Sequence, residues 1–548
     1  MKKGFHSIVL TCILIGLGSC QTNSSSNEEN VIADWVIING KILTVDDNFS
    51  IVESMAIKDG LILSTGSKDE VLTHTNSQTK VTDLKGKTVI PGLIDNHIHY
   101  VRATKNWYRS VQWNSVMSRA QALAMVKERA KTLPKDEWVM VIGGFIFEQF
   151  QDNPALFTKE ELDQVVLDRP LYIQLDYEQA FANSAALLAA GITKETVVAG
   201  HGEFAKNNLG ELSGQMSGKA MDLMYQAFTE PTQEVWDQSL KQTVDSLLSK
   251  GLTCVYDVGG NLVTNNFYES VSRVFSKNEL KMRVFYSLNK ENSTAHSAET
   301  IKKELRSNRP DYTGLNFSQF GYGETVYEPM RSSPFVVSED DQAHFKDIIV
   351  TAIENNWQIH EHTMREVKMK LMLDLLEPIA KTHPQLKNLR FTIAHTNGVS
   401  EESIQRAIDM NMVFAVHSVC RQMSNSDLSP PPASTIHKMG GVWGLGSDAT
   451  IVASPNPFHT IGWVVSGRNN TGNVSFSETL SREDALRAHT ATNAYILFKE
   501  NDLGSLEPGK RADFVVLDRD YMTIPAEEIE NLSSLMTVVN GQVVYEKL

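Results

Sequence analysis

The chain has 548 residues, of which 41% are hydrophobic, and it carries 51 Lys and Arg against 66 Asp and Glu, a formal net charge of −15. This length allows a large core and more than one domain. The acidic balance argues against a nucleic acid or an anionic membrane surface as the main partner, so we expect a small molecule as the partner. The composition is compatible with a homo-oligomer.

The first 19 residues resemble a bacterial lipoprotein signal peptide. Lys2 and Lys3 precede an apolar stretch from Ile8 to Leu17, which is too short to span a bilayer as a permanent helix. The run Leu17-Gly18-Ser19-Cys20 follows, and the resemblance implies cleavage before Cys20 and attachment of lipid to its thiol. The alternative is an ordinary cleaved secretory peptide. We expect a lipid-anchored protein of the bacterial cell envelope, on its periplasmic or cell-surface side, with residues 20–32 as a flexible polar tether.

Short β-type runs separated by turn residues occupy both ends of the mature chain. Residues 33–90 contain such runs around Asn39-Gly40 and Asp59-Gly60, and residues 501–548 repeat the pattern around Asn540-Gly541. Because the two ends share this pattern, we predict one small, discontinuous β-sandwich domain that both of them form.

Residues 91–500 alternate between apolar strand-like runs and helix-length segments. This repeat predicts an α/β fold, a (β/α)₈ TIM-like barrel with insertions. An open doubly wound sheet is the alternative, but no glycine-rich nucleotide-binding motif follows any of the strands. The expected strand runs include Val139–Ile142, Leu171–Leu175, Cys254–Tyr256, Val284–Leu288, Gln358–Glu361, Phe391–Ala394, Val413–Val416 and Val442–Leu445.

Histidine and aspartate residues stand at the ends of several of these strands. His97 and His99 share one face of the strand that follows Pro91, so their imidazoles can converge on one metal ion. A second His-x-His, His360 and His362, ends a later strand. Two further strands end in His395 and in Asp448. Singly, each of these residues has an ordinary structural explanation, such as a core histidine or a helix N-cap. Together, along one barrel rim, they predict a site for Zn²⁺ or a similar divalent ion.

With these motifs, the chain resembles members of the metal-dependent amidohydrolase superfamily. The resemblance is to the amidohydrolase-3 branch, which includes N-substituted formamide deformylase-like proteins. The strongest matches are the run from Val89 to His99, Gly446-Ser447-Asp448, and Thr492-Asn493-Ala494 leading to the run from Gly504 to Asp513. The resemblance implies an enzyme that hydrolyses C–N bonds other than peptide bonds. It also implies that His97, His99, His362, His395 and Asp448 bind metal, that Asp448 is the general base, and that His395 either binds a second ion or polarises the substrate.

One departure from the family concerns the fourth barrel strand, where the branch usually has a lysine that bridges two metals. Here the matching run from Phe317 to Glu324 contains no lysine. Glu324 is either a substitute carboxylate ligand or an ordinary loop acid, so one or two ions are expected. His360 could bind the metal, hydrogen-bond one of the metal ligands or fill the barrel interior, and we favour the hydrogen-bonding role.

Three functions follow from these observations. The favoured one is a hydrolase acting on an amide, a cyclic amide or an N-acyl compound. The second is a one-metal deaminase that releases ammonia from an amidine-like ring, which the missing lysine suggests. The third is a non-catalytic binding lipoprotein with a degenerate fold. Candidate pocket residues are Tyr322, Tyr327, Arg365, Arg421, His417 and Glu178.

Overall fold

The computed structural model describes residues 31–260, 263–278, 280–332, 336–418 and 429–547. The expected signal peptide, Cys20, most of the tether and Arg421 lie outside these residues. No helix within these ranges is both long and apolar enough to cross a bilayer.

Eight parallel strands form a barrel sheet, which confirms the predicted α/β barrel. In chain order the barrel strands are β1 (Leu93–Ile98), β2 (Leu252–Asp257), β3 (Arg283–Leu288), β4 (Phe317–Glu324), β5 (Gln358–Thr363), β6 (Thr392–His395), β7 (Val413–His417) and β8 (Val442–Gly446). Strands β1 and β2 are buried along their whole length, as expected where helices cover a parallel sheet.

The first and last strands meet at a seam held by polar groups. Just past the end of β8, the Asp448 N–H donates to the carbonyl of His97 at 2.9 Å. Deeper in the barrel, the Asn493 amide donates to the carbonyls of Ile94 and Leu445 at 2.6 and 2.7 Å and accepts a hydrogen bond from Asn96. The motif residue Asn493 therefore joins the two strands that close the barrel.

Helices connect the barrel strands, and several begin at a side-chain cap. Ser338 and Ser400 accept hydrogen bonds from the first turns of their helices, and acidic residues in those turns complement the helix dipole. The α-helices are Lys68–Leu72, Tyr100–Thr104, Arg119–Thr132, Lys159–Val165, Ser184–Ala189, Ala220–Ala227, Gln233–Leu248, Asn265–Ser276, Ala298–Ser307, Glu328–Ser332, Glu339–Glu354, Glu366–Thr382, Glu401–Asp409, Ala433–Lys438, Pro457–Ser466, Arg482–Ala488 and Ala491–Ile496.

Two of the runs that we expected in the barrel lie elsewhere. Val139–Ile142 and Leu171–Gln174 belong to a separate five-stranded sheet, with Gln179–Ala182, Gly202–Lys206 and Leu212–Gly218, in a long insertion between β1 and β2. They pair in parallel with a helix between them, as barrel strands do, so the local pattern is the same in both places. The insertion packs against the loop after β8, where the Gly144 N–H donates to Ile451 at 2.7 Å.

Strands from both chain ends share one sheet, as predicted. This six-stranded sheet runs in the order Gln542–Glu546, Ser534–Val539, Phe514–Leu517, Thr88–Pro91, Lys41–Leu43 and Ile51–Val52. A four-stranded sheet of Leu61–Gly66, Ser54–Lys58, Trp35–Ile38 and Lys80–Asp83 lies beside it in the sequence. Arg283, at the start of β3, forms a buried two-point ion pair with Asp513 of the six-stranded sheet at 2.9 and 3.0 Å. This ion pair ties the barrel to the chain ends.

Candidate metal centre

His97 and His99 lie at the end of β1 with both imidazoles pointing into the mouth of the barrel. Both side chains are buried. The Nε2 atom of His99 lies 3.1 Å from Oε2 of Glu324 and 3.0 Å from Oδ1 of Asp448. The Nε2 atom of His97 faces the same two oxygens at 3.4 and 3.6 Å. Two nitrogens and two carboxylate oxygens therefore surround one point.

The second oxygen of Glu324 faces a different pair of histidines. Oε1 contacts Nδ1 of His362, at the end of β5, and lies 3.3 Å from Nε2 of His395, at the end of β6. Glu324 is 4% exposed and ends strand β4, so it is not an ordinary loop acid. Its carboxylate stands between the two pairs of histidines, with one oxygen turned to each pair.

Three overlapping groups of these residues have ligand atoms within 4.8 Å of one another. They are His97, His99, Glu324 and Asp448; Glu324, His362 and His395; and His97, His395, His417 and Asp448. Each group offers imidazole nitrogens and carboxylate oxygens, the donor set that Zn²⁺ and similar divalent ions take in proteins. The structure thus brings together every metal ligand that the sequence predicted, with Glu324 at the centre.

The electrostatics of the cluster favour positive charge at its centre. Burial raises the pKa of Glu324, but the neighbouring imidazoles, above all that of His362, outweigh burial and hold this pKa well below its usual value. The pKa of Asp448 is also far below its usual value despite burial, because His97 and His99 contact the carboxylate. Both carboxylates are therefore ionised. The Nε2 atom of His97 is buried without a hydrogen-bond partner among the described residues, as suits an atom that binds a cation.

Neighbouring groups hold the ring orientations of the candidate ligands. Nδ1 of His99 lies 2.8 Å from the carbonyl of Gly259, so this nitrogen carries the proton and Nε2 is left for the metal. Nε2 of His360 lies 2.8 Å from Nδ1 of His97. His417 contacts His395 in the same way, with the two Nδ1 atoms 3.1 Å apart. Burial lowers the pKa of His360 and of His417 well below its usual value, so both are neutral.

An open cleft of about 640 Å³ leads from solvent to these ligands. Glu178, a pocket residue that the sequence predicts, lines the cleft from the insertion. Residues that the sequence did not identify line it as well, namely Arg102, Tyr177, Glu291 and Arg331. Arg102 follows His99 by three residues on the short helix after β1, and this position was the signal that could have found it.

The other proposed pocket residues have different roles. Tyr322 is fully buried and packs edge-on against Trp357, and the Tyr327 hydroxyl donates to Asp341 at 2.6 Å. Arg365 directly precedes helix Glu366–Thr382, and its backbone N–H donates to Asn397. Among the residues that the structure describes, none of these three lines the cleft. Tyr322 does not reach the cleft because its ring packs on Trp357, which directly precedes β5.

Comparisons with known proteins bear on the family and the fold of this chain. Residues 80–545 match the model of the amidohydrolase family. The chain is 26% identical to YtcJ of Bacillus subtilis, over 93% of this chain and 98% of that protein. It is 25% identical to the N-substituted formamide deformylase of Arthrobacter pascens, over 94% and 98% of the two chains. An uncharacterised metal-dependent hydrolase of Pyrococcus horikoshii has a similar fold, with a TM-score of 0.63 at 17% identity, over 90% and 99% of the chains.

Proposed function

The chain belongs to the amidohydrolase family and is a metal-dependent hydrolase, and from that membership we propose that it cleaves a non-peptide C–N bond with two divalent ions bound at the barrel mouth. The observation that carries this proposal is the position of Glu324 between two pairs of histidines. The substrate would be an amide, a cyclic amide or an N-acyl compound.

The two faces of Glu324 define the two proposed metal sites. His97, His99, Asp448 and Oε2 of Glu324 would hold the first ion, and His362, His395 and Oε1 of Glu324 the second. Zn²⁺ fits this set of nitrogen and carboxylate donors. Glu324 would supply the bridging anion that the family usually takes from a lysine on the same strand.

Divalent ions at such a site supply an activated water and polarise the substrate carbonyl. The protein itself supplies the base. Asp448 is ionised, so one of its oxygens accepts a proton as water adds to the carbonyl carbon. The same carboxylic acid then gives this proton to the nitrogen as the C–N bond breaks.

The hypothesis of a one-metal deaminase depended on the absence of a residue that could bridge two ions. Glu324 could bridge them, so the sequence no longer favours that hypothesis. A non-catalytic binding protein is disfavoured because all five predicted ligands remain and the general base is ionised. We retain the C–N hydrolase as the proposed function.

The proposal is tested by counting metal and screening substrates on the same preparation. We expect two ions per chain by elemental analysis, and release of amine or ammonia from a panel of N-acyl, amide and cyclic-amide compounds. Asp448→Asn should lower kcat by about 10²- to 10⁴-fold. The surface variant Asp47→Asn is the matched control and should keep full activity. No turnover by fully loaded protein across the panel would refute the proposal.

We also propose that Cys20 carries the lipid anchor that keeps the enzyme in the cell envelope. The support is the apolar stretch followed by small residues and Cys20. Cys20→Ser should release the protein from the membrane fraction and abolish its labelling by a fatty-acid analogue. Membrane association that survives this change would refute a thiol-linked anchor.

A further inference from the structure

Arg102 extends from the helix Tyr100–Thr104 into the mouth of the cleft, beside the metal ligands. Nδ1 of His99 and Nη1 of Arg102 both lie next to Gly260. A Cβ atom added to this glycine would be 3.0 Å from the first nitrogen and 3.1 Å from the second. The Nη2 atom of Arg102 donates to the Tyr177 hydroxyl at 2.9 Å. The guanidinium is thus held in place, with a neutral partner, at the entrance to the site.

The other charged pairs around the cleft are satisfied within the protein. Arg331 pairs with Glu291 at 2.6 Å, and Lys219 pairs with Asp222 at 3.0 Å. In the described part of the chain, no carboxylate forms an ion pair with the half-buried Arg102 side chain, and Glu291 and Asp448 act on its charge only from a longer distance. A guanidinium offers five N–H donors in a plane that matches a carboxylate. Within the described ranges, the hydrogen bond to Tyr177 uses one of the five donors of Arg102.

A second pocket opens directly beside Arg102. It has a volume of about 230 Å³ and shares Arg102, Tyr177 and Tyr225 with the metal cleft. Its remaining walls include the rings of Trp107, Phe228 and Phe267. Arg109, also in its lining, is neutralised by Glu137 at 2.6 Å. Arg102 therefore stands at the junction between the metal ligands and a pocket with aromatic walls.

We propose that Arg102 binds a carboxylate of the substrate, and that the substrate is an amide with a free carboxylate next to the scissile nitrogen and a bulky apolar arm. This inference rests on the proposed hydrolase function. The amide would lie at the metal ligands, the carboxylate at Arg102 and the apolar arm in the second pocket. One water is consumed: the C–N bond breaks, a C–O bond forms, and the nitrogen gains a proton. The products are the free acid of the acyl group and an amino acid.

The test compares N-acetylphenylalanine, as each enantiomer, with N-acetylphenethylamine, which differs only in lacking the carboxylate. A charge-assisted hydrogen bond to Arg102 should raise kcat/KM for one enantiomer of the acid about tenfold or more over the neutral compound. Arg102→Met should bring this ratio to about 1, while Arg102→Lys should retain part of it. Arg306→Met, an exposed arginine on helix Ala298–Ser307, is the matched control and should leave the ratio unchanged.

A binding measurement separates this inference from the proposed function. Calorimetric titration of the metal-loaded Asp448→Asn variant gives the Kd of each compound without turnover. Tighter binding of the acid that disappears with Arg102→Met supports the carboxylate site, even if no hydrolysis of either compound is seen. Equal Kd values for the acid and the neutral compound would overturn it, even if neutral amides are cleaved. A preference for the acid that survives both Arg102→Met and Arg102→Lys would also overturn it.

Discussion

Nδ1 of His97 lies 2.8 Å from Nε2 of His360, and this contact turns the opposite nitrogen of His97 toward Glu324 and Asp448. His360 comes from β5 and His97 from β1, so the hydrogen bond crosses the barrel interior. His360, which we do not assign as a metal ligand, thereby orients the ring of His97, which we do.

We predict that His360→Phe weakens metal binding about 10- to 100-fold without unfolding the protein, because the ring of His97 loses the partner that orients it. The affinity is measured by competition with a chelator of known metal affinity. His296→Phe, at an exposed histidine, serves as the control. Equal metal affinity of the His360→Phe variant and the unmodified protein would contradict this assignment.

Glu324→Gln should reduce the metal content from two ions per chain to one or none. A neutral amide has lost the charge that lets a carboxylate join two cations, while the histidines stay in place. Elemental analysis after dialysis gives the number of ions, and Glu354→Gln on an exposed helix surface is the matched control. Retention of two ions by the Glu324→Gln variant would show that something else bridges them.

Arg283→Met should lower the free energy of unfolding by about 3–5 kcal/mol, because it leaves the buried carboxylate of Asp513 without its cation. Denaturant-induced unfolding measures this loss. The double variant Arg283→Met/Asp513→Leu should recover part of it, since the unpaired charge is then removed as well. A loss no larger than that of the exposed control Arg306→Met would argue against the role of this ion pair.

The stability of the fold should decrease between pH 6.5 and pH 4 because of His489. Burial lowers the pKa of this fully buried imidazole from its usual 6.5 to about 4. In this window the unfolded chain takes up a proton that the folded protein does not, so folding loses stability as the pH falls. The shift corresponds to about 3 kcal/mol at most.

The effect of His489 is isolated by comparing the metal-free protein with its His489→Leu variant. Denaturant-induced unfolding at a series of pH values should show a smaller decrease below pH 6.5 in the variant. His296→Phe should follow the unmodified protein, because that histidine is exposed in both states. Parallel pH profiles for the unmodified protein and the His489→Leu variant would mean that His489 is not the source.

The barrel and the convergence of the five predicted ligand residues could be predicted from local patterns, because strand ends in a parallel barrel meet at one rim. A residue such as His362 lies at the end of its strand, so the order of the chain predicts its place. The insertion could not be recognised, because Val139–Ile142 and Leu171–Gln174 form a parallel pair with a helix between them, just as barrel strands do.

Arg102 and Tyr322 show that side-chain orientation near a strand end is harder to predict from the sequence than the strand itself. Whether a side chain near a strand end faces the cleft depends on packing between distant segments, so a local position such as that of Arg102, three residues after His99, indicates a candidate without deciding its orientation. Arg102 lines the cleft beside Tyr177 of the insertion, whose hydroxyl accepts a hydrogen bond from its guanidinium. Tyr322 packs on Trp357 instead, because its strand position points outward to the helix layer.

The six-stranded sheet that both chain ends share has a consequence for biosynthesis. Lys41 forms an ion pair with Asp520, 479 residues later, and Thr88–Pro91 pairs with Phe514–Leu517. Until the last few dozen residues have been made and delivered, strand Thr88–Pro91 has an open edge that can pair with other chains. A prematurely terminated chain would therefore lack the C-terminal strands of the six-stranded sheet and leave its N-terminal strands without their partners. Such a chain would be prone to aggregation and proteolysis.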